Sequence, residues 1–310
     1  MKKSHALNVS VARTVTTLVR RFHLLVVLGA ALFGSRAAEA AILLGNQPDP
    51  TFAGLKVWYD AGSITDGEGN PVTTWNSSDA NPNSATGAGS RRPLWTANGL
   101  NGQPTVQFDG ADDQLIMADD DLFQTANHPN TYFAILTTSA ANAHVIGRGS
   151  SSSGFLNSFG SGLIMSSSRA TAKANQFSSG VFLQATTTNY STGRLITAVL
   201  NGTLNEIQID GVQEATSNSA INAWPYTRAT LGASDGDGTG VAIDPFAGAI
   251  SEILVYGALT TEEIDQVNQY LFDKYFVPQA VAAIPEPSTL LLLASGAIAL
   301  VTRRARRKSA

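Results

Sequence analysis

The segment Asn201-Gly202-Thr203-Leu204-Asn205-Glu206-Ile207-Gln208-Ile209-Asp210-Gly211 decides the fold. Asn-Gly and Asp-Gly are the pairs that best adopt the left-handed backbone of a two-residue hairpin loop. Between them, side chains alternate: Ile207 and Ile209 fall on one face of a strand, Glu206, Gln208 and Asp210 on the other. That is a strand with one buried face, punctuated by turns at both ends, as in a meander.

The same pattern continues outward in both directions. Leu55-Lys56-Val57-Trp58-Tyr59-Asp60 alternates and stops at Ala61-Gly62; Pro104 to Asp109 alternates with Val106 and Phe108 together and stops at Asp109-Gly110. Further strands are expected at 72–75, 115–117, 131–138, 144–147, 163–166, 181–187, 195–200, 229–231 and 249–256, while 77–92, rich in Asn, Ser, Ala and Gly, reads as a loop. One helix is expected. Thr260 and Glu263 form a capping box, Ile264, Val267, Leu271 and Tyr275 follow at helical spacing, and Pro278 lies just beyond. Many short strands and a single late helix predict an all-β, two-sheet jelly-roll sandwich with one C-terminal helix.

Charge is segregated along the 310 residues. The formal net charge is −4, but residues 41–284 carry nine Lys and Arg against 22 Asp and Glu, a net charge of −13. A surface of that sign repels phosphate backbones, which excludes nucleic acid and leaves cations or neutral glycans as partners. Cysteine is absent, so the chain has no disulfide framework, no thiolate metal site and no cysteine nucleophile.

The missing basic residues sit at the two ends. Residues 1–40 combine a basic start, the apolar run Leu24 to Phe33, and Ala38-Glu39-Ala40, which has the small-x-small form of a signal-peptidase site. Residues 41–53 read as a linker to a domain at 54–277, and 278–284 as a second linker. The end of the chain has three parts in order: Pro285-Glu286-Pro287-Ser288, an apolar segment from Leu290 to Val301, and a basic cluster of Arg303, Arg304, Arg306, Arg307 and Lys308. Twelve apolar residues fall short of the roughly 20 that span a bilayer, so a transient anchor is expected rather than a permanent one. This tripartite ending, 285–310, resembles the PEP-CTERM sorting signal of exported bacterial proteins. The resemblance implies recognition by an exosortase-type membrane protease, transient membrane association, and delivery to the cell surface or extracellular matrix.

The body of the chain carries a second resemblance. Leu55 to Ala61, Val72 to Trp75, Asn101 to Leu115, and Phe246 to Tyr256 before the Thr260 helix look like the landmarks of concanavalin A-like, laminin-G-like jelly-roll domains of bacterial surface proteins. Such a domain implies a lectin-like glycan- or protein-binding module, a structural coat component, or a glycan hydrolase.

Candidate sites follow from the residue types. Asp109, Asp112 and Asp113 cluster after a strand; they could ligate calcium, which takes six to eight oxygens, or Asp109-Gly110 forms a tight turn whose backbone amides Asp112 and Asp113 cap. Residues 234–240 begin like an EF-hand loop but lack its closing Glu. Trp95, after Arg91-Arg92-Pro93, and Trp224, before Pro225, are the candidate exposed platforms for sugar stacking, whereas Trp58 and Trp75 read as core. Glu206 and Asp210 share a strand face, but Asp210-Gly211 reads more simply as a turn, and the Glu-x-Asp-x-(x)-Glu pattern of glycosidases on this fold is missing. His128 and His144 have no evident Asp or Ser companion in sequence. The expectation is therefore a non-enzymatic, exported, glycan- or protein-binding sandwich.

Overall fold

The computed structural model describes residues 41–278, apart from 81–82, 118–128, 139–142, 150–161, 166–171, 177–180, 202–204, 219–227, 234–241 and 243. Ala38, Ala40, Trp224, the 234–240 loop, His128 and the whole ending from Pro285 onward lie outside these residues. The chain divides into two units, 1–53 and 54–310. In the first, within the segment expected as a linker, β1 (Leu43–Leu44) pairs antiparallel with β2 (Gln47–Pro48) across a turn at Gly45.

The second unit is a β-sandwich, as the alternation predicts. One sheet runs in the order β13 (Val181–Gln184), β12 (Ala172–Gln176), β11 (Gly162–Met165), β10 (Ala143–Gly149), β17 (Arg228–Leu231), β8 (Leu115–Met117), β5 (Ser84–Thr86) and β4 (Thr74–Asn76). The other runs β16 (Val212–Ser217), β15 (Asn205–Ile209), β14 (Tyr190–Leu200), β9 (Asn130–Thr138), β18 (Ala247–Tyr256), β7 (Gln103–Asp109) and β6 (Leu94–Leu100), with β3 (Leu55–Asp60) also on β18. Every pairing is antiparallel. The inner faces meet in one core that includes Val57, Tyr59, Trp75, Val106, Phe108, Leu115, Leu136, Ile196, Ile207, Ile209, Ile250 and Ile253.

Turn chemistry sets the registers. Asp210 (φ 52°) and Gly211 (φ 76°) make the left-handed pair between β15 and β16, and Asn101 (φ 51°) with Gly102 (φ 80°) does the same between β6 and β7. Several elements were not expected. β5 lies inside the predicted loop because Ala85, fully buried, fills a core position beside Met117 on β8. β6 and β16 are sheet-edge strands with mixed, half-exposed patterns, and so lack clean alternation.

Helix α1 (Thr261–Tyr275) has the predicted capping box: Thr260 Oγ1 accepts from the Glu263 amide at 3.3 Å, and Glu263 Oε2 accepts from the Thr260 amide at 2.7 Å. It lies against β14 and β9 on the outer face of their sheet. There Ile264, Val267 and Leu271 are buried, as are Phe133, Ile135, Leu195, Val199 and Leu254, the strand residues that alternate with the core. A polar seam crosses this contact, from Thr197 Oγ1 to Asn268 Oδ1 (2.6 Å) and from Asn268 Nδ2 to Gln208 Oε1 (2.8 Å).

The helix is fixed at its far end by a buried ion cluster. β18 changes partner along its length, from β7 at residues 247–250 to β3 at 252–256, and Glu252 stands at the switch, opposite Asp60. Its carboxylate is 1% exposed and receives four hydrogen bonds: Trp58 Nε1 (2.7 Å) and Tyr270 Oη (2.9 Å) on Oε1, Lys274 Nζ (2.7 Å) and Tyr275 Oη (2.8 Å) on Oε2. Lys274 also reaches Asp60 Oδ2 at 2.8 Å. Burial pushes the Glu252 carboxyl up, against the pull of Lys274; four converging donors favour its ionised form. Burial alone lowers Lys274, but the charges of Glu252 and Asp60 outweigh it and hold the ammonium above its usual range. Replacing Lys274 with Met strands a buried carboxylate and is expected to cost about 3–5 kcal/mol of unfolding free energy. The double variant Glu252→Gln, Lys274→Met, measured by the same chemical denaturation, should recover much of that loss; equal losses for both would refute the ion-pair account.

Candidate functional site

The acidic turn predicted after β7 forms a compact structure. Asp109 Oδ1 accepts from the amides of Ala111 (2.8 Å) and Asp112 (3.3 Å), and Asp113 Oδ2 accepts from the Asp109 amide (2.8 Å). Gly110 is required twice over: its φ is +76°, and a Cβ there would lie 2.5 Å from that of Ala247. One carboxylate oxygen from each of Asp109, Asp112 and Asp113 lies within 4.8 Å of the others. Three carboxylates could join a cation, but calcium would need further oxygens to complete its shell. The amides of the turn are thus capped by Asp109 and Asp113, and the Asp112 carboxylate joins them only in the cluster.

This turn walls a cavity of about 430 Å³. Asp109 and Asp113 meet Leu94, Gln107, Thr137, Ser191 and Gly248 there. Gln107 and Asp109 are exposed alternate residues of β7, so they share a face. Gly248 keeps the floor low, since a Cβ would come within 2.1 Å of the Thr137 carbonyl oxygen. An amide, two hydroxyls, a carboxylate and an exposed leucine around one space form a surface suited to a polyhydroxylated ring. Asp113, 5% exposed, has its carboxyl pushed up to about 6 by burial, with the charges of Asp109 and Asp112 adding to the rise and the Asp109 amide opposing it.

The other sequence candidates separate. Trp95 is corrected as an exposed platform: it is half-buried against the core, and its Nε1 donates to the Ala61 carbonyl at 2.9 Å. Trp58 and Trp75 are core, as expected, at 6% and 0% exposure. Glu206 and Asp210 are not brought together. Glu206 accepts from Gln208 Nε2 (2.7 Å), and Asp210, in its turn, is paired with Arg194 at 2.5 Å. His144 does have an acidic companion that the sequence did not reveal: its Nε2 is 3.7 Å from Asp244 Oδ2, while Nδ1 has no hydrogen-bond partner among the described residues. The Glu252 cluster was also missed, although a lone acid in the apolar run Ile250-Ser251-Glu252-Ile253-Leu254-Val255 signals a buried partner. Glu214 was missed too; it gathers the amides of Thr186 (2.6 Å) and Thr187 (2.9 Å) with both hydroxyls.

With the geometry in place, residues 283–307 match the PEP-CTERM protein-sorting motif, which marks an exported chain that associates transiently with the membrane. No helix among the described residues is long and apolar enough to cross a membrane. No curated protein matches the chain. Among solved structures, the sialidase of Trypanosoma rangeli aligns with 15% identity and a TM-score of 0.45, over 74% of this chain and 34% of that one. The chain therefore spans about a third of the sialidase's length. Domain 4 of AbnA, a GH43 extracellular arabinanase from Geobacillus stearothermophilus, in complex with arabinotriose, aligns with 14% identity and a TM-score of 0.47, over 70% and 98%. The CBM40 of the Ruminococcus gnavus IT-sialidase, bound to α2,3 sialyllactose, aligns with 16% identity and a TM-score of 0.38, over 46% and 83%.

The raised Asp113 carboxyl gives a pH dependence of defined sign. Its folded value of about 6 exceeds the ordinary 3.8, so the protonated form is favoured on folding. Its contribution is full below about 4 and is lost as pH rises through about 6. Asp113→Asn keeps an oxygen for the Asp109 amide. Relative to this variant, the wild-type melting temperature should fall between pH 4 and pH 7; parallel curves would remove the titration from Asp113.

Proposed function

We propose that the chain is an exported cell-surface or matrix protein whose sandwich binds glycan without catalysis, and whose tail is handled by an exosortase-type membrane protease. The sorting motif supports the export half. The binding half is carried by one observation: the cavity beside the acidic turn presents Gln107, Thr137, Ser191 and Leu94, while the carboxylates of Asp109 and Asp113 accept from backbone amides. Calcium, where it binds, would take its first oxygens from Asp109, Asp112 and Asp113 and order the cavity rim.

A specific observation favours a second reading, hydrolysis of a glycan. Asp109 and Asp113 lie close together in a cavity, and one has a raised carboxyl, the combination that acid catalysis requires. Against it, Asp113 is buried and accepts from the Asp109 amide through Oδ2, which leaves little of it facing the cavity.

A glycan array with the secreted protein, run with and without calcium, should give binding that Gln107→Ala weakens by about tenfold, the worth of a strong hydrogen bond to a sugar hydroxyl. No binding in either condition would overturn the lectin reading. Release of reducing sugar by the wild type but not by Asp113→Asn would replace it with the hydrolase. Intact mass of surface material should show loss of Arg303, Arg304, Arg306, Arg307 and Lys308; their retention would make the ending an ordinary anchor.

A further inference from the structure

A second cavity, of about 300 Å³, opens on the other sheet, lined by Thr86, Gly89, Ser90, Arg91, Gln114 and Ile116. Thr86 and Ile116 are register neighbours on β5 and β8, so their side chains share a face. Leu115 and Met117 take the core face, which turns Ile116 outward. The cavity floor is therefore an isoleucine beside a threonine, on rigid strands.

Arg91 supplies its charge, and the chain around it is built to hold that residue still. Its amide donates to Ala88 O (3.2 Å) and its carbonyl accepts from the Gln114 amide (3.0 Å). Arg92 next to it ties the loop down, with Nε on Gly89 O (2.9 Å) and Nη1 on Thr73 Oγ1 (3.0 Å). Three other cations are engaged: Lys56 with Asn130, Arg194 with Asp210, Lys274 with Asp60 and Glu252. The Arg91 guanidinium has no hydrogen bond or ion pair among the described residues, though the span 41–284 holds 22 acids that could have supplied one. A guanidinium that has no partner among the described residues, in a cavity of a strongly acidic domain, offers its fork to an external anion.

We propose that this cavity is a subsite for a carboxylate-bearing sugar residue. The planar carboxylate matches the guanidinium fork of Arg91. The apolar face of the ring lies on Ile116, and ring hydroxyls meet Thr86, Ser90 and Gln114. The volume suits one monosaccharide. The net charge of −13 over 41–284 repels a dense polyanion, so the fitting ligand is an isolated acidic sugar within a largely neutral glycan. This subsite goes beyond the cavity at Asp109 and does not rest on it.

The test is a ligand-observed NMR titration of the full chain in mild detergent with glucuronic acid, using glucose and acetate as controls. Glucuronic acid should bind at least about tenfold more tightly than either control, because charge and ring contacts are both needed. Arg91→Gln should lose about tenfold or more at an unchanged melting temperature, and Arg91→Lys should recover only part, since lysine cannot form the fork. Thr86→Val should weaken the sugar without creating affinity for acetate. Gln107→Ala, in the other cavity, should leave glucuronic acid binding intact, so a blank glycan array for that cavity and a failure here are separate results. Acetate binding as tightly as glucuronic acid, unchanged affinity in Arg91→Gln, or no binding at all would each overturn the proposal.

Discussion

The ammonium of Lys274 between Glu252 and Asp60 is the constraint on which the arrangement of the sandwich depends. Two carboxylates opposite each other on adjacent strands repel, and one of them is fully buried, so neither β3 nor the switch in β18 is tenable without a cation above them. That cation comes from the last turn of the only α-helix among the described residues. The requirement is reciprocal: the helix docks where Lys274 is needed, and docking covers Phe133, Ile135 and Leu254, which would otherwise leave an apolar outer face in water. Three indoles surround the same corner, with Trp58 on Glu252, Trp75 on the Asp60 carbonyl and Trp95 on the Ala61 carbonyl. Trp95, one of the two aromatics expected to face sugar, is thereby committed to structure.

Covering one half of that outer face leaves the other half open. Helix α1 lies over β14 and β9, whereas the cavity at Gln107 and Asp109 sits on the first half of β18 and on β7. The partner switch at Glu252 thus separates a closed, structural part of the sheet from an open one. On the opposite sheet, β5 and β8 carry the Arg91 cavity. Adjacent residues of one loop serve the two cavities, Asp113 one and Gln114 the other, so the loop between β7 and β8 supplies an acid to one side and an amide to the other.

What the sequence revealed was local chemistry. Alternation located β3, β7, β9 and β15, and the capping box located the start of α1 to the residue, because neither depends on distant partners. The strands that escaped notice were those whose character comes from their neighbours: β5 is a strand because β8 pairs with it, and β6 and β16 because edges tolerate mixed exposure. The acidic turn was legible as a cluster, but its raised Asp113 was not, since burial is a tertiary property. The Glu252 cluster joins Asp60 to Lys274, 214 residues apart, and only its lone acid in an apolar strand was visible in advance. Arg91 was legible as a loop residue; that its guanidinium has no partner among the described residues is a tertiary property.

The ion cluster also bears on how the sandwich connects to the sorting motif. Asn101 Nδ2 donates to the Tyr275 carbonyl at 2.7 Å, closing the helix end, and Lys274 is bonded one residue earlier. Only seven residues, 276–282, separate that fixed point from the sorting motif at 283. Fully extended, they span no more than about 25 Å. While the tail is held by a membrane, the sandwich is held within that tether plus the polar part of the motif, and any pull on the tail is a pull on α1. A helix secured only by apolar contact could slide along the sheet under such a load. One secured by a buried, four-bonded carboxylate cannot shift by a turn without leaving that charge unpaired, so the ion cluster resists such a pull.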